Sequence, residues 1–262
     1  MSQFNYYDHI ASIYDQTRWM TESIAEEVAD YILELVDANP HTSFLEPGVG
    51  TGLNVFPLVK RGYSVTGIDI SREMLDQFSQ KLNGIPQNLT LIQADASQLS
   101  FPDDSFNVVL TVHMVHTVSH WQQFLDEIER VLKPGGFYLN AQWITPPARM
   151  EFERYFRAML AKDKNTKAAH TGNEGINVDD YFRKKGYRSN YGIAKRWLVS
   201  NTIEELLGFL KARAYGLCWQ TSSEMFYRKV EEFEVFCLEH YGSLEAKVSS
   251  EAQFEIWAYA VR

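Results

Sequence analysis

A glycine-rich turn that follows a short apolar run is the feature that most constrains how this chain can fold. The apolar pair at 44–45 leads to an acid, Glu46, and three glycines then follow at alternate positions, Gly48, Gly50 and Gly52. This pattern predicts a strand that turns sharply into a helix, because glycine tolerates positive φ and lets a ligand approach the backbone. The amides of such a turn, together with the following helix N-terminus, form a donor site for a carboxylate or a phosphate.

A second strand follows and also ends in an acid. The segment VTGIDIS, residues 65–71, places Asp69 seventeen positions after Gly52. An acid at this position can accept hydrogen bonds from both hydroxyls of a ribose that lies over the glycine turn. A nicotinamide enzyme has the same pairing, but the dinucleotide fingerprint requires a third glycine three positions after the second, and position 53 is Leu. The spacing therefore disfavours a pyrophosphate site.

Five more apolar segments predict strands, and the acids cluster at strand ends. These segments are residues 89–94, 106–112, 137–144, 187–199 and 253–261. Asp95 follows the third strand, just as Glu46 and Asp69 end the first two. Ligands of open α/β sheets bind outside the carboxyl ends of the strands, so we expect the three acids to lie close together there.

Four motifs in this order make the chain resemble the class I S-adenosylmethionine-dependent methyltransferases. LEPGVGTG (45–52) resembles the family's first motif, GIDIS (67–71) its second, and QADASQLSFPDDSFNVVL (93–110) its third and fourth. RVLKPGG (130–136) resembles the turn before the fifth strand. The likeness extends over roughly residues 40–145, and within it the pattern is similar to the ubiquinone- and menaquinone-type enzymes. Pro47 stands at a position that is variable in the family.

The resemblance implies an α/β fold with a Rossmann-like, seven-stranded, mostly parallel sheet, helices on both faces and an antiparallel last strand. Residues 1–147 would hold an N-terminal lid segment and the S-adenosylmethionine-binding core. Residues 148–262 would hold a helical cap or substrate region and the last strands of the core sheet. Amphipathic helices predicted at 149–161, 202–213 and 224–239 carry the aromatic stripes of this cap.

The same resemblance implies a set of cofactor contacts. Tyr14, Asp15 and Arg18 match a Y-D-x-x-R pattern whose segment folds over the cofactor, so Tyr14 and Arg18 are expected on the cofactor side, where the Tyr ring attracts the sulfonium. The four motifs supply the remaining expected contacts, which are Glu46, Gly48, Gly50, Gly52, Asp69, Ile70, Met74, Asp95, Ala96 and Thr111.

Three histidines after the fourth strand raise the question of a metal. His113, His116 and His120 have helical spacing, but no cysteine or carboxylate cluster completes a ligand set, so no metal is expected. His116 matches a family position close to the reacting methyl group. It is the candidate general base, because histidine titrates near neutral pH.

Composition narrows the possible partners and the location. A formal net charge of −9 argues against nucleic acid as a partner, and there is no apolar run long enough to span a membrane. The N-terminus lacks the pattern of a signal peptide, and the two cysteines, Cys218 and Cys237, form no C-x-x-C pair, so a cytoplasmic location is predicted. The sequence leaves the oligomeric state unspecified.

The predicted function is methyl transfer from S-adenosylmethionine to a small-molecule acceptor by in-line displacement, with S-adenosylhomocysteine as product. The pattern does not distinguish an O, N or C acceptor. Two alternatives stay open: a module that binds the cofactor for regulation without transferring a methyl group, and a nicotinamide-dependent oxidoreductase.

Overall fold

A seven-stranded sheet lies at the centre of the computed structural model, which describes residues 3–162, 175–219 and 221–261. In chain order its strands are β1 Ser43–Pro47, β2 Ser64–Asp69, β3 Leu89–Gln93, β4 Phe106–Val112, β5 Leu132–Ile144, β6 Ser189–Thr202 and β7 Lys247–Ala260. Within the sheet they are arranged in the order β3-β2-β1-β4-β5-β7-β6.

Helices connect these strands. They are α1 Gln3–Ile10, α2 Glu22–Leu35, α3 Phe56–Lys60, α4 Arg72–Lys81, α5 Trp121–Val131, α6 Pro147–Ala161, α7 Val178–Lys184, α8 Ile203–Lys211 and α9 Ser223–Tyr241. Short 3₁₀ turns follow α1 at Ala11–Ile13 and Asp15–Thr17, and others form at Val115–Thr117 and Gly216–Trp219.

The strand directions confirm the predicted sheet. Strands β1 to β5 pair in parallel, whereas β7 runs antiparallel to both β5 and β6. Because parallel strands end at one edge, the residues that follow β1, β2, β3 and β4 meet there, as expected for ligand sites of open sheets.

Alternate side chains of each strand pack against helices on opposite faces of the sheet. Phe44 of β1 joins a buried cluster with α2, α3 and α4, while its neighbour Leu45 joins another with α5 and α7. Both faces of the sheet are therefore covered, which explains why the parallel strands read as nearly continuous apolar runs.

The β6–β7 hairpin continues beyond the end of β5. Ile144 pairs with Gln253, so residues 247–252 of β7 pair only with β6. Sequence analysis predicted a strand at 253–261 and missed this extension, because all but its last residue are exposed or half-buried and show no clear apolar alternation. Helices α6, α8 and α9 share a third buried cluster, and α6 begins against the extension, where Ala148 N donates to Ser250 Oγ at 3.0 Å.

Two glycines provide a matched test of the turn after β1. Gly52 has φ +76°, and a Cβ on it would lie 2.4 Å from ring carbons of Phe78, whereas Gly208 lies in α8 with open space around it. We expect Gly52→Ala to lower the free energy of unfolding by about 3 kcal/mol, through left-handed strain and overpacking. Gly208→Ala should stabilise by up to about 1 kcal/mol. Urea unfolding measures both, and equal effects would contradict this account of the turn.

Candidate active site

A cavity of about 460 Å³ lies at the carboxyl ends of β1 to β4. This volume is in the range of roughly 300–1,000 Å³ that small-molecule sites occupy. The cavity is lined by Tyr7, Tyr14, Gly48, Gly50, Asp69, Ile70, Met74, Asp95, Ala96, Ser97, Val112, His113, Met114, Thr117, Val118, Ser119 and His120.

Asp69 ties the glycine turn to the end of β2. Gly50 N donates to Asp69 Oδ2 at 2.7 Å, and Ser71 N donates to Asp69 Oδ1 at 2.9 Å. The amides of Gly48 and Val49 both donate to the carbonyl of Ile68, at 2.7 and 2.9 Å. These bonds hold the carboxylate at one orientation in the cavity wall while each oxygen keeps a further lone pair for a ligand hydroxyl.

The three glycines of the turn have different surroundings. A Cβ on Gly50 would meet nothing within 4 Å, so the backbone there is open to a ligand. A Cβ on Gly48 would lie 2.7 Å from Met114 Sδ. Gly52 faces Phe78 instead of the cavity, so it supports the turn without lining the site.

Burial raises the pKa of Asp69, although the backbone donors from Ser71, Gly50 and Ile70 oppose this shift. Asp8 of α1 also raises it through like-charge repulsion. Asp95 lines the same cavity, and one of its oxygens, Oδ1, accepts Ser97 N at 2.9 Å. The acids after β2 and β3 thus meet as the sequence predicts.

Apolar walls lie between these acids. Met74 is packed in the core with 1 % of its surface exposed, yet it also lines the cavity together with Ile70 and Ala96. Ser71 places Met74 there by capping α4, since Ser71 Oγ accepts Met74 N at 3.2 Å.

Glu46 lies beneath the turn, outside the cavity wall. It is fully buried, and Asn54 Nδ2 donates to its Oε1 at 2.7 Å. Its Oε2 and the Oδ1 of Asn54 have no partner in the described residues. Desolvation is the largest cause that raises the pKa of Glu46 to about 8, with Asp69 adding to it and Asn54 opposing it.

The segment 14–19, which we call the lid, is fastened at both ends. Asp15 pairs with Lys81 and accepts Thr51 Oγ1 at 2.5 Å, within the glycine turn itself. At the other end Arg149 donates to Thr17 O at 2.8 Å, and Trp197 Nε1 donates to Trp19 O at 2.8 Å. These contacts hold the lid against the turn, α4, α6 and β6.

Of the two expected lid contacts, one lines the cavity. Tyr14 does so directly. Arg18 stacks on the Tyr14 ring, with its guanidinium carbon 4.0 Å from the ring centre, and does not itself line the cavity.

Two predicted site residues, one in β4 and one shortly after it, do not line this cavity. Thr111 is fully buried, and its hydroxyl shares a 2.8 Å hydrogen bond with Tyr138, so its side chain belongs to the core. His116 opens into a second cavity of about 400 Å³, which also includes Asn140, Gln142 and Asp179. Both cavities share His113 and Met114 as a common wall.

Sequence analysis did not single out His113, which the structure places closer to the cofactor cavity than His116. Its φ of +51° turns the chain at the end of β4, an unusual conformation that the residue type alone does not signal. Trp143 N donates to His113 Nε2 at 2.9 Å. Nε2 also lies 3.0 Å from Trp143 O, so the backbone of Trp143 engages this nitrogen in either tautomer, and Nδ1 is the ring nitrogen without a hydrogen bond in the described residues.

Both imidazoles are neutral at pH 7. Each ring opens into a cavity, but the surrounding protein desolvates it, and this lowers the pKa of His113 and of His116. Their mutual repulsion lowers the pKa of His113 further. A neutral His116 can accept a proton, whereas Nε2 of His113 is already engaged by the backbone of Trp143.

Within the described residues there is no group of three or more His, Cys, Asp or Glu side chains that could hold a metal ion. The same part of the chain contains no helix with the length and apolarity needed to cross a bilayer.

Known proteins that are similar in sequence to this chain indicate its family. Residues 45–140 match a methyltransferase domain model. A demethylmenaquinone methyltransferase of Tropheryma whipplei is 30 % identical over 162 residues, which cover 60 % of this chain and 67 % of that protein. The chain is a class I S-adenosylmethionine-dependent methyltransferase family member.

Other relatives match over less of their length. A phosphatidylethanolamine N-methyltransferase of Cereibacter sphaeroides is 40 % identical over 94 residues, or 35 % of this chain and 46 % of that protein. The chain thus spans between about a third and two thirds of the length of the curated relatives that it matches.

A solved structure supports the fold independently. It is an antibiotic-pathway protein from Anabaena variabilis, and it superimposes with a TM-score of 0.59 at 14 % identity. The superposition covers 87 % of this chain and 95 % of the solved one. At this identity the likeness shows the shared fold alone.

The buried Glu46 predicts a pH dependence of stability. Its pKa in the folded, ligand-free protein is raised to about 8, so between its usual value and pH 8 the folded state retains a proton that the unfolded state has released. The free energy of unfolding therefore falls as pH rises through this window, by up to about 1.4 kcal/mol per pH unit.

Glu46→Gln should remove this contribution. We expect its unfolding free energy, relative to the parent protein, to increase from pH 5 to pH 8, whereas the exposed control Glu73→Gln should show no such trend. Urea unfolding across this pH range measures the difference. Parallel curves for Glu46→Gln and the parent protein would show that Glu46 does not titrate in this window.

Proposed function

We propose that this protein transfers a methyl group from S-adenosylmethionine to a small-molecule acceptor by in-line displacement. The observation that carries the proposal is the Asp69 carboxylate, held by the amides of Gly50 and Ser71 at the wall of a cavity of suitable size. Family membership supports the same cofactor.

The described residues fit the parts of that cofactor. Asp69 offers acceptor lone pairs to the ribose hydroxyls, and Asp95 offers Oδ2 to the exocyclic amine of adenine. Ile70, Met74 and Ala96 provide apolar surface for the base. The open backbone at Gly50 and the Tyr14 ring are assigned to the methionine part, where a ring face attracts the sulfonium.

S-adenosylmethionine supplies an electrophilic methyl carbon on a positively charged sulfur. The protein has to align the acceptor, exclude water and remove a proton where the nucleophile begins protonated. We assign removal of this proton to His116, which is neutral and makes no hydrogen bond in the described structure. We assign Nδ1 of His113 to orienting the acceptor at the wall between the two cavities, as a donor or an acceptor according to the tautomer.

The helices on the β6–β7 extension are proposed as the cap of the substrate region, residues 148–262. They bury their own apolar cluster next to the lid, and Arg149 of α6 binds the lid directly. A cap in this position can exclude water from the acceptor.

The formal net charge of −9 supports a small-molecule acceptor over a nucleic acid. A cytoplasmic location is supported by the cysteines, since Cys218 and Cys237 are both unpaired and buried. Burial raises the pKa of each thiol to about 12, which makes them unreactive.

Titration calorimetry with S-adenosylmethionine, S-adenosylhomocysteine and NADH tests the cofactor. We expect saturable binding of the first two only, and a loss of at least tenfold in their affinity on Asp69→Asn, because the carboxamide replaces an acceptor oxygen with a donor. The control Asp76→Asn, on the exposed side of α4, should bind normally. Binding of NADH alone would favour the oxidoreductase, and unchanged affinity of Asp69→Asn would overturn the role of Asp69.

Release of S-adenosylhomocysteine in the presence of phenols, amines and carboxylic acids tests transfer. With an acceptor found, His116→Ala should lower kcat by about 10²–10⁴-fold and leave cofactor affinity unchanged, while the exposed His41→Ala should have full activity. In the parent protein, kcat/KM should fall only as pH drops through the lowered pKa of His116. Cofactor binding with no turnover of any acceptor class would favour the regulatory module.

A further inference from the structure

Three buried donors without partners lie between the lid and the helices of the β6–β7 extension. They are Trp19 Nε1, Trp143 Nε1 and the Tyr215 hydroxyl, and we call them the donor cluster. None has a hydrogen-bond partner in the described residues. Trp143 and Tyr215 are 6 % and 7 % exposed. Folded proteins leave few buried polar groups unpaired, so a group of three in one place indicates a missing acceptor.

Two of the three rings lie against one charged group, and the third packs on one of them. The guanidinium carbon of Arg149 lies 4.8 Å from the centre of the Trp19 ring and 4.7 Å from that of Tyr215. The Trp19 and Trp143 rings meet edge to face at 6.2 Å. These distances bring the lid, the end of β5 and the segment after α8 together.

The donor cluster adjoins the cofactor cavity. The His113 ring, which lines that cavity, lies 5.5 Å from the Trp143 ring. Arg18 of the lid lies beside both places, since it acts electrostatically on His113 and on the Tyr215 hydroxyl. A molecule bound at the cluster can therefore extend to the wall where His113 separates the two cavities.

Positive charge predominates around the Tyr215 hydroxyl. The charges of Arg149 and Arg18 lower the pKa of this hydroxyl, and the charge of Glu153 raises it. Arg149 is 4 % exposed, and its Nε donates to Glu153 at 3.2 Å. Two guanidinium groups against one carboxylate favour an anionic ligand, and the indole N–H groups can only donate.

We propose that the donor cluster binds an anionic oxygen group of the methyl acceptor and so holds its nucleophile at the His113 end of the cofactor cavity. The inference rests on the proposed function and specifies its substrate class. Trp143 donates to the anion from the end of β5, Tyr215 from the segment after α8 and Trp19 from the lid. The site is complete only with the lid in place, because Trp19 belongs to it.

The second cavity points to a competing acceptor. It contains the carboxylate of Asp179 and the ring of Trp257, and no Lys or Arg is among its described lining residues. An amine would bind there. The unpaired buried donors lie in the donor cluster, so we assign the acceptor's anionic group to the cluster. An amine then serves as the competing test ligand.

The test uses the full chain saturated with S-adenosylhomocysteine and titrated with four probes of similar shape: benzoate, phenyl phosphate, benzamide and benzylamine. We expect the two anions to bind more tightly than the amide and the amine. Whether benzoate or phenyl phosphate has the higher affinity distinguishes a carboxylate site from a phosphate site. Tighter binding of benzylamine, or equal binding of benzoate and benzamide, would overturn the proposal.

Tyr215→Phe separates ligand binding from a structural role. We expect it to weaken binding of the preferred anion about tenfold or more, while stability in the absence of ligand is unchanged or higher, because it deletes an unpaired buried hydroxyl. The control Tyr155→Phe removes an α6 hydroxyl that bonds to Glu151, away from the cluster, and should bind the anion normally. Loss of stability with unchanged anion binding would assign the hydroxyl to an internal water instead.

The two proposals fail in different ways. If S-adenosylhomocysteine does not bind, the proposed function is wrong. If it binds and none of the anions does, the cofactor assignment stands and the substrate class is wrong.

Discussion

The two hydrogen bonds that Asp69 accepts from Gly50 and Ser71 are the contacts on which the rest of the site depends. They join the turn after β1 to the turn after β2, so two neighbouring strands end in one rigid unit. Burial disfavours the charged carboxylate, and the backbone donors offset this cost. Asp15 then fastens the lid to Thr51 of the same turn. The cofactor cavity and its lid are therefore a single connected structure.

The His113 ring divides the site into two parts with different chemistry. On one side lies the cofactor cavity, with acids from β2 and β3 and apolar walls between them. The second cavity lies on the other side of His113, and the donor cluster of Trp19, Trp143 and Tyr215 lies next to the same ring. A hydrogen-bonding group fixed at His113 and a neutral histidine three residues later suit a reaction that must orient an acceptor and remove its proton. The fold supplies this division through one left-handed residue at the end of β4.

Much of the cofactor side could be predicted from the sequence. Strand ends and tight turns are local features, and Gly48, Gly50, Asp69, Asp95 and Ala96 meet because parallel strands end at one edge. Local pattern could not show which way a side chain points. Glu46, Gly52 and Thr111 belong to the same motifs but face the interior, because alternate strand residues face opposite sides and turn residues pack against whichever element crosses nearby.

The sequence by itself determined the order of strands and helices, the strand-end acids and the glycine turn, since periodicity and backbone preference are written in neighbouring residues. Tertiary structure alone decided the contacts between distant segments. The β6–β7 extension, the lid fastened by Arg149, and the meeting of Trp19, Trp143 and Tyr215 join residues far apart in the chain. Their association depends on how helices and lid pack over the sheet edge, and no local pattern encodes that packing. The residues proposed to bind the cofactor are thus largely readable from sequence, whereas those proposed to bind the acceptor come together only in the fold.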